Sequence, residues 1–414
     1  MLFCAGGERL QHILETEPNP KQKIGELLLQ NGFAKEAHPY LIRDFDPKDY
    51  RRWANLAVCN RILGNLEEAK ENAKKSLELN KYAPRTWHNL TLIMEDLGQF
   101  EHAQEAADIA YQLLPVDKEI AYRLAMTHMR NGDWLSTKVT DAFEFGREEF
   151  FWQPYRGIVK WRGEPLAGKR VLVLREGGYG DCFWFMRYLK LLKEERCHVT
   201  YISWKNQKAI FEPFVDRVLT CDDMLDETEY DYQIALWSVL SLHPGPLSMS
   251  QPYLHAKRMS IPKTGFTVGI AWSALECEVP RKTRGIPMAA LELLQSVPVN
   301  WMALSVEDEI PSWCSDPRGV LWQGWESTMT VIDRCDLVIT SDSVVGHVAG
   351  GMGKETWLLL PKNCDGRWGS PEHCMVKTWY PTTRPIRNPD PLSWDGLIAR
   401  VKTELENKLA LVGV

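Results

Sequence analysis

The chain has 414 residues, 44% of them apolar and 25% charged, enough for two to four globular domains. Residues 1–150 hold 19 Lys+Arg against 24 Asp+Glu, and the other 264 hold 30 against 31, for a net charge of -6. Neither part is basic, so bulk charge points to neither nucleic acid nor an anionic membrane.

The first residues, Met1 to Glu8, lack a basic region followed by a long apolar core, so no secretion signal is expected. No apolar run approaches the roughly 18–20 residues that cross a bilayer. From there the chain repeats with a period of 34. Gly64, Gly98 and Gly132 keep that spacing, as do Leu63 and Leu97, Ala69 and Ala103, Ala73 and Ala107, and Trp53 and Trp87. Leu56, Leu90 and Leu124 follow the same register. This is the period of tetratricopeptide repeats, each a helix, a turn with Gly and a second helix, with small Ala residues between the paired helices. An earlier pair, around Leu28 to Gly32 and Ala37, is two residues out of phase and reads as a capping repeat.

Residues 143–167 read as a connector containing Trp152, Pro154, Trp161 and Pro165. The pattern then changes to buried strands and intervening helices. Val171 to Leu174 is a continuous apolar run of the kind found in parallel sheets covered on both faces. A glycine-rich loop, Arg175 to Asp181, precedes a helix predicted over Cys182 to Lys193. Strands are predicted at 199–202, 218–219 and 232–235. A second α/β segment opens with 266–272 and continues with strands at 301–304, 319–322, 336–340 and 356–360. An amphipathic helix closes the chain from Ser393, with Trp394, Leu397, Ile398, Val401 and Leu405 on one face. The expected domains are 1–142 (helical repeats), 143–167 (connector), 168–262 and 263–390 (two Rossmann-like α/β domains) and 391–414 (terminal helix). The fold class is therefore α plus α/β. Two Rossmann-like domains in series, with a cleft between them, is the GT-B layout.

Three polar segments follow apolar strands. The first is Glu176 to Asp181, where Gly177, Gly178 and Gly180 would let a backbone approach a ligand closely. Asp181 reads either as a helix cap or as a carboxylate facing the cleft. The loop lacks the Gly-x-Gly-x-x-Gly spacing of a dinucleotide fingerprint. The second is Glu276 to Arg284, where Arg281, Lys282 and Arg284 suit a diphosphate, or simply line a solvated loop. The third runs from Thr340 to Gly353. Ser341, Asp342 and Ser343 read as ordinary caps, or as the phosphate end of a nucleotide site, because free amides at a helix start attract anions. His347, one turn into that helix, reads as a packing residue or as a further phosphate contact. The ten cysteines are scattered without a Cys-x-x-Cys pair and read as mostly buried thiols of a reducing compartment, not a zinc site.

Together these segments resemble the heptosyltransferase-like glycosyltransferases, in the bacterial subgroup that carries tetratricopeptide repeats in front. The matching runs are Gly180-Asp181-Cys182-Phe183-Trp184-Phe185-Met186-Arg187-Tyr188, then Gly269-Ile270-Ala271-Trp272 with Arg281 to Arg284, then Asp342-Ser343-Val344-Val345-Gly346-His347-Val348-Ala349-Gly350-Gly351-Met352-Gly353. Asp365-Gly366-Arg367-Trp368, Trp379-Tyr380-Pro381 and Arg384 fit the tail. Ser343 stands where the family has Thr, Glu326-Ser327 represents its acidic helix start, and the loop with Cys277 and Glu278 is unusual.

The resemblance implies an inverting, metal-independent transfer of a sugar from a nucleotide-sugar to an acceptor hydroxyl, with no cofactor beyond that donor. On it, Asp181 is the general base and His347 the second catalytic residue. Arg281, Lys282, Arg284, Ser341, Asp342, Ser343, Gly346 and Glu326 hold the donor, and Glu176, Gly180 and Arg187 lie on the acceptor side. The acceptor is a glycan, a polypeptide or another hydroxyl, with a protein partner on the repeats and a cytoplasmic location. Three alternatives stay open: an O-linked N-acetylglucosamine transferase-like protein modifier, a transferase acting on DNA bases, and an inactive repeat scaffold.

Overall fold

The computed structural model describes residues 20–43, 46–147, 155–242, 252–256, 265–273, 284–305, 309–321, 324–390 and 393–413. It divides into two compact units, 1–151 and 152–414.

The first unit is built of helix pairs: Pro20–Gln30 with Ala34–Ile42, Tyr50–Leu63 with Leu66–Leu79, Pro84–Leu97 with Phe100–Leu113, and Lys118–Arg130 with Thr137–Arg147. The glycine punctuation is physical. Gly32, Gly64, Gly98 and Gly132 have φ of 83°, 97°, 76° and 92°, a left-handed conformation that stops a helix with little strain only when no Cβ is present. The following residue then bonds back five positions in every pair: Phe33 N to Leu28 O at 2.9 Å, Asn65 N to Asn60 O at 2.9 Å, Gln99 N to Met94 O at 2.8 Å, and Asp133 N to His128 O at 3.0 Å. The 34-residue register extends to side chains. Trp53 Nε1 donates to Pro47 O at 3.0 Å, and Trp87 Nε1 donates to Lys81 O at 2.8 Å. Ala69, Ala73, Ala103 and Ala107 are buried between the helices, where larger side chains would push the pairs apart.

The second unit carries two five-stranded, all-parallel sheets. The first has the order β1-β5-β2-β3-β4, with β1 Val159–Lys160, β2 Arg170–Leu174, β3 His198–Ser203, β4 Arg217–Thr220 and β5 Tyr232–Ala235. The second has the order β10-β9-β8-β6-β7, with β6 Thr267–Ala271, β7 Asn300–Ala303, β8 Leu337–Ser341, β9 Thr356–Leu360 and β10 Thr383–Arg387. The central strands β6, β8 and β9 are buried along their whole length, as expected of a parallel sheet covered on both faces. The helix Asp395–Val412 closes the second core, burying Leu397, Ile398, Val401 and Leu405 against it. In each sheet the chain reverses its order beside the first long strand, at β2 and at β6, and the carboxyl ends of such strands open onto a crevice.

Three local expectations change. The strand expected at 319–322 is not seen at 319–321, and residue 322 lies outside the described residues: Arg318–Leu321 is a helical turn, preceded by Asp316, whose carboxylate accepts from Arg318 N at 2.9 Å. A short apolar run does not by itself distinguish strand from helix. The helix expected over Cys182 to Lys193 is broken into Tyr179–Phe185, a 3-10 turn at Met186–Tyr188, and Leu189–Glu194. Strand β10 was not expected, because Pro385 interrupts a polar run. It pairs only with β9, at the sheet edge, where a residue without an N–H is tolerated.

One close approach in the helical unit is directly testable. A Cβ built on Gly146 would lie 2.4 Å from Tyr122 N and 2.7 Å from Lys118 O, both backbone atoms of the facing helix. Gly146→Ala should therefore lower stability by about 1–3 kcal/mol in urea unfolding, the usual scale of overpacking. An unchanged midpoint would show that these two helices separate freely.

Candidate functional site

The site lies in the α/β unit, where segments leaving β2, β8 and β9 meet. The loop after β2 carries Glu176, and Gly180 and Asp181 lie in the first turn of the helix Tyr179–Phe185 that follows it. Asp181 is not the residue that starts the helix. Gly178 holds that position, and Asp181 lies three residues on, with Oδ2 accepting from Gly178 N at 2.8 Å. Its other oxygen, Oδ1, accepts from Arg367 Nη1 at 2.5 Å, in an ion pair whose two side chains are each only 14% exposed. Each carboxylate oxygen thus has one partner and retains capacity for another donor.

Two glycines here also make room within the protein. A Cβ on Gly177, at φ +68°, would lie 2.5 Å from Asp181 Oδ2. One on Gly180 would lie 2.8 Å from His347 Cδ2. The missing side chains make room for the carboxylate and for the imidazole, so that the helices Tyr179–Phe185 and Val344–Gly351 can pack together.

After β8 the chain starts the helix Val344–Gly351 with Ser343, and no side chain caps it. Ser343 Oγ is instead 3.0 Å from Thr340 Oγ1. Ser341 and Asp342 are buried, and neither Ser341 Oγ nor Asp342 Oδ2 has a hydrogen-bond partner among the described residues. Arg284 Nη1 lies 3.9 Å from Asp342 Oδ2, a loose ion pair. Burial raises the proton affinity of Asp342, against the opposing pull of Arg367 and Arg284. Gly346 is buried against Leu358 and Thr340 and faces the sheet. Glu326 lies in the first turn of the helix Trp325–Arg334, whose Trp325 ring packs on Tyr179 and Phe183 at centroid distances of 5.5 and 5.0 Å. Arg281 and Lys282 lie outside the described residues.

His347 is enclosed. Its Nδ1 is 2.8 Å from the Tyr380 hydroxyl, and its ring stacks on Trp368 at 4.9 Å and on Trp184 at 6.1 Å. Burial, reinforced by the charges of Arg367 and Arg187, holds its pKa well below the usual imidazole value. The ring is neutral, so it offers a hydrogen bond to an anion but no formal charge.

Arg187, expected on the acceptor side, is instead interior. Its Nε donates to Trp184 O at 2.8 Å, Nη1 to Trp379 O at 2.6 Å and Nη2 to the Tyr253 hydroxyl at 2.9 Å, between the Tyr253 and Tyr380 rings. Glu176 is turned toward Trp237, whose backbone N donates to Glu176 Oε2 at 3.3 Å.

Arg367 had been given no role. It leaves the segment after β9 on a 3-10 turn, Gly366–Trp368, capped by Asp365, whose Oδ1 accepts from Arg367 N at 3.0 Å and from Arg367 Nε at 3.1 Å. Burial of Arg367 would lower its pKa, but Asp181, Asp365 and Asp342 outweigh that and hold it well above the usual value. The available signal was a charged pair just past the carboxyl end of a buried strand. Its partner across 186 residues of sequence was not visible there.

The neutral His347 gives a signed pH dependence. The unfolded imidazole takes up a proton near pH 6.5, and the folded one resists it. The contribution to stability is complete above about pH 6.5 and is lost as the pH falls toward the depressed folded value. Urea unfolding at pH 7 and pH 5 should therefore show a smaller acid loss for His347→Gln than for the parent chain. Equal losses would mean that the folded ring protonates freely.

No family model matches the chain. Protein FlbA of Caulobacter vibrioides is 23% identical over 295 residues, 60% of this chain and 48% of that protein, so the match spans about half the length of this curated relative. Among solved structures, E. coli ADP-heptose lps heptosyltransferase II is similar with a TM-score of 0.44 and 14% identity, over 59% of this chain and 100% of the other. The dodecameric iron-containing glycosyltransferase TibC of enterotoxigenic E. coli gives 0.42 and 13%, over 60% and 78%. A mutant O-GlcNAc transferase of Thermobaculum terrenum gives 0.35 and 11%, over 95% and 92%.

Proposed function

We propose that this chain is a GT-B glycosyltransferase that moves a sugar from a nucleotide-sugar to an acceptor hydroxyl, inverting the anomeric carbon without a metal. The observation that carries the reading is the meeting of Asp181, from the first helical turn after β2, with Arg367 and the uncapped start of Val344–Gly351, from segments after β9 and β8. A base and an anion-receiving surface then stand together at the carboxyl ends of two parallel sheets. In the proposed step the acceptor oxygen attacks the anomeric carbon and its proton passes to the Asp181 carboxylate. The bond from that carbon to the diphosphate oxygen breaks on the opposite face. Arg284 and the amides at the helix start receive the charge that develops on the leaving group, while Arg367 stays paired with Asp181. Among the described residues no group of three or more His, Cys, Asp or Glu side chains is arranged to hold a metal.

The helical unit, with its 34-residue register, is on this reading a tetratricopeptide-type array that holds a protein partner or an acceptor polypeptide on an extended surface. No helix among the described residues is long and apolar enough to cross a membrane. We place the protein in the cytoplasm on the strength of its scattered cysteines, which form no Cys-x-x-Cys pair, and a nucleotide-sugar donor. One other reading has an observation in its favour: the Asp181–Arg367 pair would also suit an inactive scaffold, in which it is purely structural.

Asp181→Asn separates these readings, because asparagine keeps the size and one acceptor oxygen, for Gly178 N or for Arg367, but takes no proton. Transfer should fall by about 10²–10⁴-fold, with nucleoside diphosphate affinity and melting temperature near those of the parent chain. Near-parental turnover would remove Asp181 as the base, and no turnover by the parent chain on any nucleotide-sugar would favour the scaffold. Activity should also survive EDTA. Loss on chelation with recovery on adding Mn²⁺ would overturn the metal-free mechanism.

A further inference from the structure

The segment that carries Arg367 is held from several directions. Trp379 Nε1 donates to Arg367 O at 2.6 Å. Arg387 Nη2 donates to Gly369 O at 2.7 Å and to the carbonyls of Trp368 and Ser370 at 3.3 Å, and Arg387 Nη1 lies 2.8 Å from Cys364 Sγ. Gly369, at φ +75°, admits no side chain, since a Cβ there would lie 1.9 Å from His373 O. The backbone under Arg367 is therefore fixed, and the direction of its side chain with it.

That side chain is shared. Asp365, on its own turn, holds Nε, and Asp181, from the other sheet, holds Nη1. The guanidinium also lies over the Trp184 ring, 5.4 Å from its centroid, and feels the Asp342 charge at the carboxyl end of β8. One planar cation thus touches the proposed base on one side and belongs to the proposed donor half on the other. A guanidinium can do this because its donors point in fixed, divergent directions, whereas an ammonium is a single point charge.

We infer that Arg367 is the positioning residue of the proposed reaction. It holds the Asp181 carboxylate in place, aimed at the acceptor hydroxyl, and acts on the rate through that carboxylate. The inference rests on the glycosyltransferase reading above. It predicts that loss of Arg367 lowers kcat much more than it raises the donor KM. It also predicts that the loss no longer matters once Asp181 cannot act as a base.

The test is a double-mutant cycle on the full chain, with water as acceptor. Release of nucleoside diphosphate is measured from ADP-heptose, UDP-N-acetylglucosamine and GDP-mannose, and the donor that supports turnover is carried forward. Arg367→Gln should lower kcat by about 10²-fold or more, within the range of a lost general base, with donor KM changed less than threefold. Arg367→Lys, which keeps the charge without the fork, should recover part of the rate. Adding Arg367→Gln to Asp181→Asn should cost less than a further threefold, because residues acting as a unit are not additive. Three results overturn the inference while leaving the glycosyltransferase reading standing: an Arg367→Gln kcat within threefold of the parent, a tenfold rise in KM at unchanged kcat, or the full loss repeated in the Asp181→Asn background. No release by the parent chain from any donor overturns the reading itself. If Arg367→Gln is unfolded by circular dichroism, Arg367→Lys takes its place in the cycle. It is then expected to lower kcat about tenfold, and the same three results count against the inference.

Discussion

The architecture of the α/β unit depends on a cation in its interior. Arg187 reaches Trp184 O in its own helical segment, Trp379 O beyond β9, and the hydroxyl of Tyr253 in the stretch joining the two sheets. Tyr253 in turn donates to Phe183 O at 2.9 Å. A buried guanidinium is expensive to desolvate, and it persists here because two carbonyls and a tyrosine hydroxyl, on three segments, and two aromatic faces replace its water. These bonds have direction. They fix the segment that follows Asp181 against the segment that follows Arg367, which is the relation the site requires.

Around this strut the interior is divided between aromatic rings and charge. Trp184, Trp368 and Tyr380 enclose His347 and keep it neutral, with Trp379 packed on Trp184, while the carboxylates of Asp181, Asp342 and Asp365 face the guanidinium groups of Arg367 and Arg284. The rings lower the local dielectric, which strengthens each ion pair and raises the cost of leaving any of these groups unpaired. This explains why Trp is concentrated in this part of the sequence: the rings line a charged site as well as fill a core.

Much of this was legible in the sequence where the cause is local. A glycine every 34 residues meant a left-handed stop every 34 residues, and apolar runs such as Val171 to Leu174 meant buried parallel strands. The polar turn at 341–343 stood at the carboxyl end of a strand because a strand followed by a small polar turn leaves few other arrangements. The readings that changed depend on distant partners. Arg187, expected on the acceptor side, could not be assigned to the interior before its three acceptors, up to 192 residues away, were in place. Arg367 could not be linked to Asp181 without the facing sheet. The four-residue run at 319–322 carried no period long enough to distinguish a strand from the helical turn seen at Arg318–Leu321.

The edge strand β10 has a consequence for the molecule's behaviour in a crowded solution. An exposed parallel edge offers a row of amides and carbonyls on which another chain can build. Pro385 sits at the middle of this five-residue strand and supplies no amide, and the exposed Arg384 places charge beside it. A second copy seeking to extend the sheet would find its ladder interrupted and a cation beside the gap. The residue that hid β10 from the sequence pattern therefore also guards the sheet against self-association.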